Sequence, residues 1–179
     1  VRIWIYTWFG AGSLTPFNPL TPWARDANGK HDLDRWDSAY WQRVRNFVSA
    51  AQARQIIVEV SIFSEYPGND RWNDANFRLA WNKDFNVNGA FTADDDRYFY
   101  PEFFDLDYAE RSTSGKTVRD YQRALVDKTL AELGSFSNVY FEIHNEFPAV
   151  WADGAAIDEV FGWQQYWADY IRQRAPRLV

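Results

Sequence analysis

The stretch NVYFEIHNEFP, running from Asn138 to Pro148, decides how this chain is read. Val139, Phe141 and Ile143 alternate with Tyr140, Glu142 and His144, the period of two that predicts a β-strand. Alternation stops at Asn145-Glu146, and Phe147-Pro148 turns the chain away. An amide and a carboxylate side by side at the C-terminal tip of a buried strand is an unusual placement. In α/β barrels the strand tips carry the catalytic groups, because the loops that follow them leave room for a substrate. A lone Asn-Glu pair would read as a turn residue followed by an exposed charge, so the rest of the chain has to decide between the two.

Upstream, Val1 to Tyr6 alternates in the same way, with Val1, Ile3 and Ile5 on one face and Arg2, Trp4 and Tyr6 on the other. A loop rich in Gly, Pro, Asn and Thr follows over 7–31. Asp32 predicts the N-cap of a helix reaching about Arg54, with Trp36, Tyr40, Val44, Phe47, Val48 and Ala51 as its inward stripe. A second strand is expected over Ile56–Phe63. The connection over 64–116 is too long for a compact domain unless it has a task. It holds Trp72, Trp81 and Tyr98, with a short helix expected near Asn73–Trp81. Its Asp94-Asp95-Asp96 run reads as a solvated turn, since no spaced ligand loop accompanies it. A helix over Val118–Leu133 with Gly134 as its stop precedes the quoted strand. A last helix over 155–174 is closed by Pro176, and Leu178-Val179 would open another strand.

This β-α-β-α-β-α order predicts parallel strands with right-handed crossovers. Strands covered by helices on both sides read as continuous apolar runs, and these do not. Their second faces hold Arg2, Glu59, Glu142 and His144, which must satisfy one another because unpaired buried charge is costly. A barrel interior with a polar layer meets that need. The fold class expected is therefore α/β, of the (β/α)8 TIM-barrel type.

Composition narrows the function. The 179 residues carry a net charge of −6, and no basic run or stripe appears, so nucleic acid is not an expected partner. No apolar run approaches the ~20 residues of a membrane span, so no membrane partner is expected. Cysteine is absent, which excludes disulfides. The aromatic share is high at 19%, from 10 Trp, 10 Tyr and 14 Phe, and suits either a large core or rings that stack on flat ligands such as sugars. Val1 begins inside an apparent strand and there is no methionine, so the chain is read as a piece or processed form of a longer protein; modified methionines left out of the sequence would also fit.

On FEIHNEFP and on Val-Arg-Ile-Trp around Arg2, the chain resembles the retaining glycoside hydrolases of the cellulase–mannanase–β-glycosidase clan, which are (β/α)8 barrels. In that clan the fourth strand ends in Asn-Glu and the second carries an Arg. The resemblance implies that residues 1–179 form a partial catalytic domain, from about strand two to the start of strand five, roughly half a barrel, with long loops at 7–31 and 64–116. It implies cleavage of β-glycosidic bonds by double displacement, with Glu146 as acid/base and Asn145 on the sugar hydroxyl next to the anomeric carbon. Arg2 would support the nucleophile and His144 would neighbour the site. The nucleophile would lie outside this chain, and the remainder of the barrel would come from the same or another chain. Strand three lacks the His found in some cellulases.

The chemistry agrees, since glycosidic cleavage uses two carboxyls. Glu65, the nearest second candidate, reads as a loop charge. Trp8 and Trp81 are expected to line the cleft, Trp36 and Trp163 to be core. No cofactor is expected, and no metal, because His31 and His144 show no ligand spacing. The alternative is a non-catalytic carbohydrate-binding protein on the same scaffold.

Overall fold

The computed structural model describes residues 1–5, 8–10, 20–63, 77–90, 101–145 and 154–175. Along the chain these form β1 (Arg2–Trp4), β2 (Trp8–Gly10), β3 (Trp23–Arg25), β4 (His31–Trp36), α1 (Ser38–Gln52), β5 (Val58–Phe63), β6 (Phe77–Leu79), α2 (Pro101–Phe104), α3 (Val118–Leu133), β7 (Val139–His144) and α4 (Gly154–Arg174).

The centre is a parallel sheet in the order β1-β5-β7. Arg2 lies opposite Glu59, and Val58 opposite Val139, so β5 is flanked by a strand from each side of the sequence. Val58, Val60 and Ile62 are fully buried, as are Val48 of α1, Leu125 of α3 and Val160 of α4 in the same core. That much follows the expected alternation of strands and helices.

The barrel does not. The described residues form an open three-stranded sheet whose edges are β1 and β7, together with two antiparallel pairs, β2–β6 and β3–β4, built into the connections. The expectation of a (β/α)8 barrel assumed that the polar strand faces look into a closed interior. Instead that face is open to solvent at the start of the strands, where the Arg2 side chain is 43% exposed and Tyr140 is 42% exposed, while Ser61 and Phe63 farther along it are buried. Alternation here records polar side chains gathered at the start of the strands, with the Arg2 guanidinium in reach of water.

Both long connections also carry more structure than their composition announces. Trp23 pairs with Trp36 and Arg25 with His31 across a bulge, which makes His31–Trp36 a strand rather than the start of a helix. The cap of α1 is Asp37, not Asp32; its carboxylate accepts from the backbone N–H of Ala39 at 2.8 Å and of Tyr40 at 3.0 Å. Phe47, expected inward, is exposed, and Trp41 is buried in its place. Residues 80–90 fold back onto β4, with His31 N–H donating to Phe85 O at 2.8 Å and Leu33 N–H to Asn88 Oδ1 at 2.8 Å. Asn86 pins this segment from within, its amino group directed at the carbonyls of Ala80, Asn82 and Ala90. Phe77–Leu79 is a strand against β2, where a helix was expected near Asn73–Trp81.

Thr117 and Asp120 form a reciprocal capping box at the start of α3. At its end Gly134 is right-handed, φ −66, so the stop does not use a left-handed glycine. A Cβ there would meet Leu130 O at 2.6 Å, which is why glycine suits the position. Pro176, Leu178-Val179, Asp94-Asp95-Asp96 and Glu65 lie outside the described residues.

Candidate functional site

The polar cluster on the sheet is assembled by register, from the start of the strands to the end of β7. Arg2 of β1 faces Glu59 of β5, which faces Tyr140 of β7, while Glu142 sits level with Ser61. Partners in parallel pairs project to the same side of a sheet, so three strands deliver their polar side chains to one place. Arg2 Nη2 lies 2.9 Å from Glu59 Oε1 and 3.7 Å from Glu142 Oε1. Its Nη1 donates to Asn145 Oδ1 at 3.2 Å. The Asn145 backbone N–H donates to Phe63 O at 3.0 Å, tying the end of β7 to the end of β5. Asn145 is buried.

Electrostatics follow the contacts. The Arg2 guanidinium, and then the Tyr140 hydroxyl, hold the Glu59 carboxyl below the usual carboxylate range. Glu59 and then Glu142 raise Arg2 in turn. Glu59 raises Tyr140 in the same way. Glu59 is therefore a fixed anion rather than a proton donor. The Oε2 of Glu142 is buried and has no hydrogen-bond partner among the described residues.

Of the residues expected at a site, the structure brings Arg2 and Asn145 together, along with the expected neighbours Glu59 and Glu142. His144 is not in the cluster. It ends β7, in register with Phe63, and its ring is packed between Phe104, at 5.7 Å, and Trp163, at 6.0 Å. It is buried, and neither ring nitrogen has a hydrogen-bond partner among the described residues. Burial alone pushes its pKa down to about 4, so the imidazole is neutral there. This ring is part of the packing, not of a substrate-binding surface.

Trp81 is corrected in the same way. It is 1% exposed, with Trp23 at 5.0 Å and Phe103 at 5.4 Å edge-on to it, and so has no free face for a sugar. The folding-back of residues 80–90 buries it, and tryptophan in a loop carries no mark of that. Trp163 is fully buried, as expected, while Trp36 is partly buried and stacks on Trp23. Trp8 lies on β2 opposite Leu79, with its side chain outside the described part of the molecule. Glu146, Trp72 and Tyr98 lie outside the described residues.

Tyr140 was missed by sequence reasoning as a member of the cluster, although its place beside Glu142 in the alternating stretch was a usable signal. Among the described residues no group of His, Asp and Glu is arranged to hold a metal ion, and no helix is long and apolar enough to cross a membrane. No protein-family model matches the chain, and neither does any curated protein or any solved structure.

Proposed function

We propose that this chain supplies the acid/base side of a site that hydrolyses β-glycosidic bonds of a poly- or oligosaccharide with retention of configuration. Glu146 protonates the leaving glycosidic oxygen and then deprotonates the attacking water, Asn145 holds a sugar hydroxyl, and the nucleophilic carboxylate comes from outside this chain. The observation that supports this most is the Arg2–Asn145 hydrogen bond. Arginine has only donors, so it takes the amide oxygen and leaves the Nδ2 donors for another group. Asn145 is thereby set to donate to a ligand oxygen, one residue before a carboxyl group. The resemblance of FEIHNEFP to the tip of the fourth strand in retaining glycosidases supports the same reading.

The test is Glu146→Ala in the full-length protein. Hydrolysis of glycosides with poor leaving groups should collapse by about 10²–10⁴-fold, the usual scale of general acid–base catalysis. Activated aryl glycosides, which need little protonation, should keep their first step, and added azide should restore turnover by attacking the glycosyl-enzyme. The partner carboxylate should stand ~5–5.5 Å from Glu146, the retaining separation. Normal activity of Glu146→Ala on a natural glycan would remove the acid/base role and leave carbohydrate binding.

A further inference from the structure

The Arg2 fork is planar and rigid, so fixing one of its terminal nitrogens fixes the direction of the other. Nη2 is the held end, with Glu59 at 2.9 Å and Glu142 farther off at 3.7 Å. Nη1 is the working end, on Asn145. The Glu59 side chain is 17% exposed against 43% for Arg2, so the carboxylate is the better anchored of the pair. Tyr140 is its Cα partner across the β5–β7 pair, and after Arg2 its hydroxyl helps hold the Glu59 carboxyl low.

We infer that Glu59 is a positioning residue that acts through Arg2 to fix which edge of the Asn145 amide meets a sugar. The inference rests on the proposed glycoside-hydrolysing reading and assigns a task to residues that reading does not use. Glu59 itself touches no substrate. With Glu59 removed, the guanidinium keeps only the more distant Glu142 and swings toward it. Asn145 then loses the donor that holds its oxygen inward, and the amide presents oxygen and nitrogen to the ligand indifferently. A hydroxyl oxygen that needs a donor loses a directed partner, whereas a substrate lacking that hydroxyl loses nothing.

The experiment uses the full-length protein with an activated aryl β-glycoside and its 2-deoxy counterpart. It compares Glu59→Ala, Tyr140→Phe, Asn145→Ala and the Glu59→Ala/Asn145→Ala double variant by kcat/KM. Glu59→Ala should lower kcat/KM on the parent glycoside about tenfold, the scale of one directed hydrogen bond, and leave the 2-deoxy substrate nearly unchanged. Tyr140→Phe should move the same ratio in the same direction by less, and it serves should Glu59→Ala fail to fold. The double variant should be no worse than Asn145→Ala alone, because both act through one amide. Equal losses on both substrates, or losses that multiply in the double variant, would overturn the positioning role. A wild type that does not prefer the parent glycoside, or an Asn145→Ala without effect, would instead overturn the site reading and the positioning role together.

Discussion

The two sides of the β7 tip are built by opposite means from consecutive residues. On one side His144 is sealed among Phe104 and Trp163, with Phe63 and Phe103 behind them, and no polar partner reaches its nitrogens. On the other, Asn145 is held by a half-exposed guanidinium that two carboxylates share. The aromatic side is held by area removed from water. The polar side is held by direction, since ion pairs near water add little stability yet can set angles. Apolar packing and polar orientation are thus separated across a single peptide bond.

The strongest way to break that division is Trp163→Ala. The ring is fully buried, and its Nε1–H donates to Gln122 Oε1 at 3.2 Å, so truncation leaves both a cavity and an unsatisfied acceptor. A loss of about 3–5 kcal/mol is expected in denaturant unfolding. A loss well below 1 kcal/mol would mean that the aromatic side does not carry the fold.

His144 offers the next effect, and its sign is fixed. Its folded pKa of about 4 lies below the ordinary 6.5, so the folded state binds fewer protons than the unfolded one. The neutral ring's contribution is complete above pH 6.5, is lost as pH falls toward 4, and is constant below that. At ~1.4 kcal/mol per pH unit this amounts to about 3 kcal/mol. His144→Phe should therefore unfold with a shallower acid dependence between pH 7 and 4 than wild type. Parallel curves for the two proteins would show the ring to be hydrated.

Arg2→Gln should have the smallest effect on stability, leaving the denaturation midpoint at pH 7 barely moved. It should nonetheless damage catalysis as Glu59→Ala does. An Arg2→Gln variant that unfolds readily would place stability on the polar side and remove the distinction.

The parallel strands and the three long helices were legible because period two and period three-to-four run over enough residues to stand out. The polar cluster was legible for the same reason, since alternation alone puts Arg2, Glu59 and Glu142 on one face. The short elements were not. Trp23–Arg25, Trp8–Gly10 and Phe77–Leu79 have three residues each, too few for a period, and they exist through partners distant in sequence. Asp32 offered a plausible cap, and Trp36 fitted the helical stripe, so a strand was read as a helix. Trp81 looked free because a loop's own sequence does not say what it folds onto. His144 was read into the polar cluster because alternation does not say that Phe104 and Trp163, far away along the chain, make its end of the strand apolar. The closed barrel was inferred from charges that needed company, and an open face supplies water instead.

The parallel pairing has a further consequence, for the order of assembly. β5 finds β1 only across the α1 crossover and β7 only across α3, so no strand of the central sheet has a sequence neighbour to zip against. Loop-closure entropy must be met before any of these pairings gives a return, the situation in which folding is slow. The capped helices, with their local hydrogen bonds, can form early, while the edges of β5 wait unpaired. Until both neighbours arrive, Val58, Val60 and Ile62 are the segment most open to pairing with another molecule.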